Sequence, residues 1–140
     1  MKKIAVLLLI SFFFLKNCYS QNSIHNKLKG MYFAMSQVEN YETGDPIDVV
    51  YYIYFNENYA TLNFSDNTYA MCEGKYFYEE KKNGLLLLKR DKNDGRPCFA
   101  IGNKNDPNDA EIIYVKEEKK EFYIKSRRFY EQKWKKLIKK

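Results

Sequence analysis

The chain is 140 residues long with a formal net charge of +6, from 24 lysines and arginines against 18 acids and a single histidine. That length accommodates one ordinary domain and excludes two. The charge is divided: Lys2, Lys3 and Lys16 lie in the first twenty residues, seven more cations lie in Arg127–Lys140 beside one acid, and the body between carries 14 cations against 17 acids. A mildly acidic body with a cationic end is not the pattern of a nucleic-acid-binding domain.

Residues 1–20 have the form of a secretory signal peptide. Lys2 and Lys3 form a basic start, and Ile4 to Leu15 is apolar apart from Ser11. A helix needs about 20 apolar residues to span a bilayer, so this run is short for an anchor. Cleavage after Ser20 predicts a single β domain over 21–140, periplasmic or secreted, with no transmembrane segment left after signal removal. The alternative is a lipoprotein anchored at Cys18, with Leu15 three residues before it, although Lys16 and Asn17 fit that pattern badly. Loss of the signal leaves Cys72 and Cys98, and an even pair in an exported chain predicts a disulfide. Closing a loop of about 26 residues contributes on the order of 3 kcal/mol by chain entropy.

In chain order, Gln21 to Lys29 shows no period and reads as a frayed lead-in holding His25, followed by a strand over Met31 to Val38 and a turn over Glu39 to Pro46. Ile47 to Phe64 carries the strongest signal. Ile47, Val49, Tyr51, Ile53 and Phe55 alternate with Asp48, Val50, Tyr52 and Tyr54, and after Asn56, Glu57 and Asn58 the alternation resumes through Ala60, Leu62 and Phe64. This is a β-hairpin, with Ile53 expected opposite Leu62 and Phe55 opposite Ala60; a slip of one residue turns an apolar face to water. A third run, Tyr69 to Glu79, is expected to set Ala70 against Phe64, Cys72 against Leu62 and Gly74 against Ala60. Asn83-Gly84 signals a type I′ turn. Leu85 to Leu88, four leucines without alternation, implies a strand covered on both faces or a short strand partly buried by another element, and is read as a strand with a cover over one face. A short strand around Cys98 to Ile101 precedes an exposed loop, Asn103 to Asp109, and Glu111–Lys116 and Glu121–Lys125 form a second hairpin around a charged turn. Tyr130, Trp134, Leu137 and Ile138 recur at helical spacing, which predicts a short C-terminal amphipathic helix over 129–140, the candidate cover for the leucine strand. The expected fold is all-β: a small antiparallel barrel or strongly bent sandwich of about eight strands plus that helix.

Catalytic parts are lacking in this sequence. His25 stands alone in an aperiodic segment, whereas a nucleophile needs a base held by a rigid shell. Asp91 to Gly95 departs from a calcium loop in its glycine position and lacks the closing Glu, Asn103 to Asp109 lacks the glycine turn, and zinc-type Cys and His clusters are missing; both loops have ordinary turn composition, so neither metal nor cofactor is expected. Two surfaces are candidates for binding. Tyr52, Tyr54 and Tyr59 fall on the outer face of the hairpin, where exposed tyrosine suits a protein interface; the alternative is a second packing layer. Arg127, Arg128, Lys133, Trp134 and Lys136 are candidate contacts for an anionic envelope lipid or polymer, or for an acidic protein; the alternative is a docked helix kept soluble by lysine.

The run Tyr69, Cys72, Gly74 and Tyr76, the later Cys98, the segment Phe122 to Ser126 and the Trp- and Lys-bearing tail resemble small periplasmic proteins of Gram-negative bacteria in uncharacterised families. The plan is similar to that of periplasmic lysozyme inhibitors and immunity proteins, which implies a disulfide-clipped barrel that binds a hydrolase or toxin; no functional residue is carried over from them. The expected function is an exported, non-enzymatic binding protein of the inhibitor or immunity-factor kind, engaging another protein. The alternative is a lipocalin-like carrier of a small apolar or envelope ligand, and a third reading is a hydrolase. A cavity lined by Tyr51, Leu62 and Tyr76 would favour the carrier; a filled core with an exposed tyrosine strip would favour protein binding.

Overall fold

The computed structural model describes residues 23–40, 42–65, 72–96 and 112–140. The strands are β1 (Gly30–Glu39), β2 (Pro46–Phe55), β3 (Tyr59–Phe64), β4 (Gly74–Glu80), β5 (Leu85–Arg90), β6 (Ile112–Glu118), β7 (Glu121–Ser126), β8 (Lys135–Lys136) and β9 (Ile138–Lys139). Consecutive strands from β1 to β7 are antiparallel neighbours. The sheet order runs β8-β7-β6-β5-β4-β3-β2-β1-β9. Its two outermost members are neighbours in sequence: one terminal segment pairs with β7 through Lys135 and Lys136 and with β1 through Ile138 and Lys139. The sheet is thereby rolled into a nearly closed antiparallel barrel, and both free edges are covered.

Alternation places side chains as the hairpin pattern predicts. Ile53 pairs with Leu62 and Phe55 with Ala60. Tyr51, Ile53, Phe55, Ala60 and Leu62 are buried, and Tyr32, Ala34, Ser36 and Val38 of β1 join them on the inside. Inside the barrel, Tyr51 packs edge-on against Phe64 and Phe129, and Tyr32 against Phe55. Burial of each such side chain is worth about 1.5–3 kcal/mol.

The lead-in is not frayed over its described part. Ile24–Lys27 form one helical turn, α1, and Ile24 and Leu28 are buried in the barrel core. Ser23 Oγ and the His25 backbone N–H both donate to Glu80 Oε1, His25 stacks on Tyr78, and Lys27 pairs with Glu117 at 2.6 Å. Two apolar side chains thus plug one end of the barrel, the helix end, and an ion pair and hydrogen bonds hold them there. At the other, loop end lie the β1–β2 turn, the last residues of β3 and β5 and the first residues of β4 and β6.

Three further expectations change. The β3–β4 register sets Leu62 against Gly74 and Ala60 against Tyr76, two residues away from the expected pairing. A shift of two preserves which face each side chain occupies, so the apolar pattern does not discriminate against it. At Asn83-Gly84 only Gly84 has positive φ, whereas a type I′ turn needs it at both central residues; the Lys81 N–H donates to Leu85 O across a longer loop. The left-handed pair instead falls at Lys119 and Lys120, φ 52° and 65°, between β6 and β7. The expected strand around Cys98 to Ile101 and the loop Asn103 to Asp109 lie outside the described residues.

The C-terminal helix is not formed. Residues 129–140 run from a turn into the paired segments β8 and β9. Leu137 is buried whereas its neighbour Ile138 is exposed, the two-residue period of a strand. A twelve-residue helix is marginal alone, whereas the unpaired edges of β1 and β7 offer backbone partners to an extended chain. The tail therefore does not cover the leucine strand. Leu86 and Leu88 face the core; Leu87 faces outward, flanked by Glu79 and Tyr114 on its partner strands, and is buried without joining the core.

Candidate protein-binding face

The outer face of β1 to β4 is built by the residues that alternate with the core. Across the strands, Ile138, Phe33, Tyr52 and Asn63 form one row, Met31, Tyr54, Thr61 and Lys75 a second, and Met35 and Val50 a third, with Tyr59 opposite Phe77 alongside. Among the described residues six large apolar side chains are exposed: Met31, Met35, Tyr54, Phe77 and Ile138 all lie on this face. The sixth, Tyr130, borders it, because its N–H donates to Gln37 O at the far end of β1. Aromatic, methionine and isoleucine side chains thus stand outward across five adjacent strands, with Thr61, Asn63 and Lys75 among them.

The three tyrosines singled out from sequence are brought together here, Tyr54 exposed and Tyr52 and Tyr59 half-buried. Lys75 Nζ lies 4.7 Å from the ring centroids of both Tyr59 and Phe77, a cation held between two aromatic faces. Sequence reading missed Met31, Met35, Phe77 and Ile138. The methionines alternate with the buried residues of β1, a signal the sequence carries, whereas the spacing of Ile138 suggests a helix and its place on the face depends on barrel closure.

The cationic tail residues do not share one surface. Arg127 is exposed on the turn after β7; Arg128 donates from its guanidinium to Cys72 Sγ at 3.1 Å at the loop end. Lys133 lies 3.5 Å from Glu131, Trp134 lies beneath Lys116 Nζ at 4.9 Å, and Lys136 pairs with Glu121 at the helix end. The extended tail thus separates residues that a helix would have fanned from one face.

Inside the barrel, Tyr51, Leu62, Phe64, Cys72, Tyr76, Ile113, Ser126 and Arg128 line a cavity with room for about one water molecule. The Tyr51 hydroxyl is buried there without a hydrogen-bond partner. Burial pushes its pKa well above the usual tyrosine range, with Arg128 acting in the opposite sense. The Tyr76 hydroxyl donates to Cys72 O at 2.5 Å. Tyr51, Leu62 and Tyr76 do meet, but around a volume far below that of a small-molecule pocket of about 300–1,000 Å³.

Ser23, His25 and Glu80 form the cluster closest to a catalytic arrangement. Ser23 Oγ lies 2.7 Å and Glu80 Oε1 3.0 Å from the same ring nitrogen, Nδ1 of His25. A relay needs the nucleophile at one nitrogen and the acid at the other, so the geometry is that of an anchor for α1. Burial opposes ionisation of Glu80, but hydrogen bonds from Ser23 and His25 outweigh it and hold its pKa below the usual range. Among the described residues no group of three or more His, Cys, Asp or Glu is placed to hold a metal ion. In the Asp91–Gly95 loop, Asp94 instead accepts hydrogen bonds from the Lys75 and Arg96 backbones and from the Arg96 guanidinium.

No protein-family model, curated protein or solved structure matches the chain. Among the described residues no helix is long and apolar enough to cross a membrane.

Proposed function

We propose that this is an exported, non-enzymatic binding protein that engages another protein through the outer face of β1–β4, as an inhibitor or immunity factor does. The observation that carries this reading is that, among the described residues, five of the six exposed large apolar side chains lie on the outer side of the adjacent strands β9, β1, β2 and β4. Aromatic residues and methionine are enriched at interface cores, and contiguous apolar patches on folded proteins mark interaction sites. The carrier reading is weakened because the cavity at Tyr51, Leu62 and Tyr76 has room for only about one water.

Export and a Cys72–Cys98 disulfide belong to the same proposal. Cys98 lies outside the described residues, but geometry on either side of the pair favours the bridge. The Arg90 guanidinium donates to Glu73 O, one residue past Cys72, and to Arg96 O, two residues before Cys98. The two cysteine-bearing segments are thus tied together beside each partner.

Affinity capture from a periplasmic extract tests the assignment. Tyr52→Ala combined with Tyr54→Ala is expected to weaken the captured interaction at least tenfold, because truncated interface aromatics commonly cost more than about 1.4 kcal/mol each. A correctly folded double variant that retains every partner would remove this face as the site.

A further inference from the structure

We propose that the cavity beside Tyr51 binds a single monatomic anion, a halide such as chloride, held by the Tyr51 and Ser126 hydroxyls and the Arg128 guanidinium. The site lies inside the barrel wall and is independent of what the outer face of β1–β4 binds.

The Tyr51 hydroxyl is a buried donor without a hydrogen-bond partner. Arg128 lowers its pKa and Tyr76 raises it, so the hydroxyl stands within electrostatic reach of two residues that line the cavity. Ser126, also buried, lines the same space. Its Oγ accepts from the Arg128 backbone N–H, which leaves its own proton to donate. Arg128 adds a guanidinium, which only donates and is always charged.

Acceptors are scarce on this wall. Cys72 O is taken by the Tyr76 hydroxyl, and among the described residues no carboxylate lines the cavity. A buried water needs partners for its own protons as well as for its lone pairs. An anion needs donors alone, and hydrogen bonds from a charged group to an anion are the stronger kind. Leu62, Phe64 and Ile113 make the rest of the wall apolar, which raises the cost of taking an anion out of water; the Arg128 charge offsets it. Room for about one water molecule suits a monatomic ion and is too small for phosphate, sulfate or a carboxylate. An ion held there ties Tyr51 of β2 to Ser126 at the end of β7 and to the turn that leads into the closing tail. The same Arg128 guanidinium reaches Cys72 Sγ just before β4, so the ion braces the loop end where these segments meet.

Thermal unfolding at fixed ionic strength, with chloride exchanged stepwise for gluconate, tests the site, because gluconate is too large for the cavity. The melting temperature is expected to rise with chloride along a saturating curve, by about 3–6 °C at ten times the dissociation constant. Bromide should act in the same way. Tyr51→Phe removes only the hydroxyl; it should melt near wild type in gluconate and lose the chloride response. Crystals soaked in bromide should show an anomalous peak between Tyr51 Oη and the Arg128 guanidinium. Identical melting curves in chloride and gluconate overturn the proposal. So does a Tyr51→Phe variant that keeps the full response, which places the ion elsewhere, and so does a bromide-soaked crystal whose cavity holds an ordered water only.

Discussion

Asp94 shows how single residues set local strain and acid stability. Its carboxylate fixes the start of β4, and the Arg96 hydrogen bonds hold its pKa well below the usual carboxylate range against the opposing effect of burial. A folded-state pKa below the unfolded value gives stability that is present above the ordinary aspartate pKa near 3.9 and is lost as pH falls through the folded value. Asp94→Asn should therefore be less stable than wild type at pH 7, and the gap in chemical denaturation should narrow as pH drops below about 4. Gly74 lies under the same carboxylate: a Cβ there would stand 2.8 Å from Asp94 Oδ2 and 2.9 Å from Cγ, at φ +128°. Gly74→Ala should cost about 1–3 kcal/mol in urea titration, from strained backbone and a neighbour pinned by four hydrogen bonds. Tyr51 and Tyr76 form a contrasting pair. Tyr51→Phe removes a hydroxyl with no partner and should leave stability within about 1 kcal/mol of wild type or raise it; Tyr76→Phe loses the bond to Cys72 O and should cost about 1 kcal/mol more.

At the scale of elements, the tail is the sharpest test of the fold. If it closes the barrel as a strand, Leu137 and Ile138 differ in energetic weight, although both belong to the apolar face of the helix suggested by their spacing. Leu137→Ala should destabilise by about 2–4 kcal/mol and Ile138→Ala by less than about 0.5 kcal/mol, read by thermal or urea unfolding. Similar losses at both positions would count against the paired-strand arrangement. The two hairpins, Ile47–Phe64 and the one spanning β6 and β7, were legible because alternation and turn residues agree over many positions. The β3–β4 register was not, since a shift of two residues leaves the apolar face intact and no local rule penalises it. Nor was the docking of α1, because Ile24 and Leu28 form only one turn of a pattern and their burial depends on a barrel end that sequence does not display.

At the scale of the whole molecule, closure couples the core to the outer face. Among the described residues the cavity at Tyr51, Leu62 and Tyr76 has room for about one water molecule, and the chemically distinctive surface is the outside of β1–β4. Reduction of the proposed Cys72–Cys98 bridge should lower stability by about 3 kcal/mol without dissolving the barrel. Urea midpoints measured with and without reductant check this; coincident curves would mean that the bridge is absent or adds nothing.

The sequence alone determined the strand-rich class, the inner and outer faces of the Ile47–Phe64 hairpin, and the outward placement of Tyr52, Tyr54 and Tyr59. Those features depend on local alternation and turn chemistry, which a linear pattern records. Only the tertiary structure decided that the last twelve residues extend and join β7 to β1, and that Met31, Met35, Phe77 and Ile138 complete the face. The physical reason is that open strand edges favour a tail in extended conformation, while the spacing of four apolar residues favours a helix. Which wins depends on backbone partners contributed by strands about a hundred residues apart in sequence.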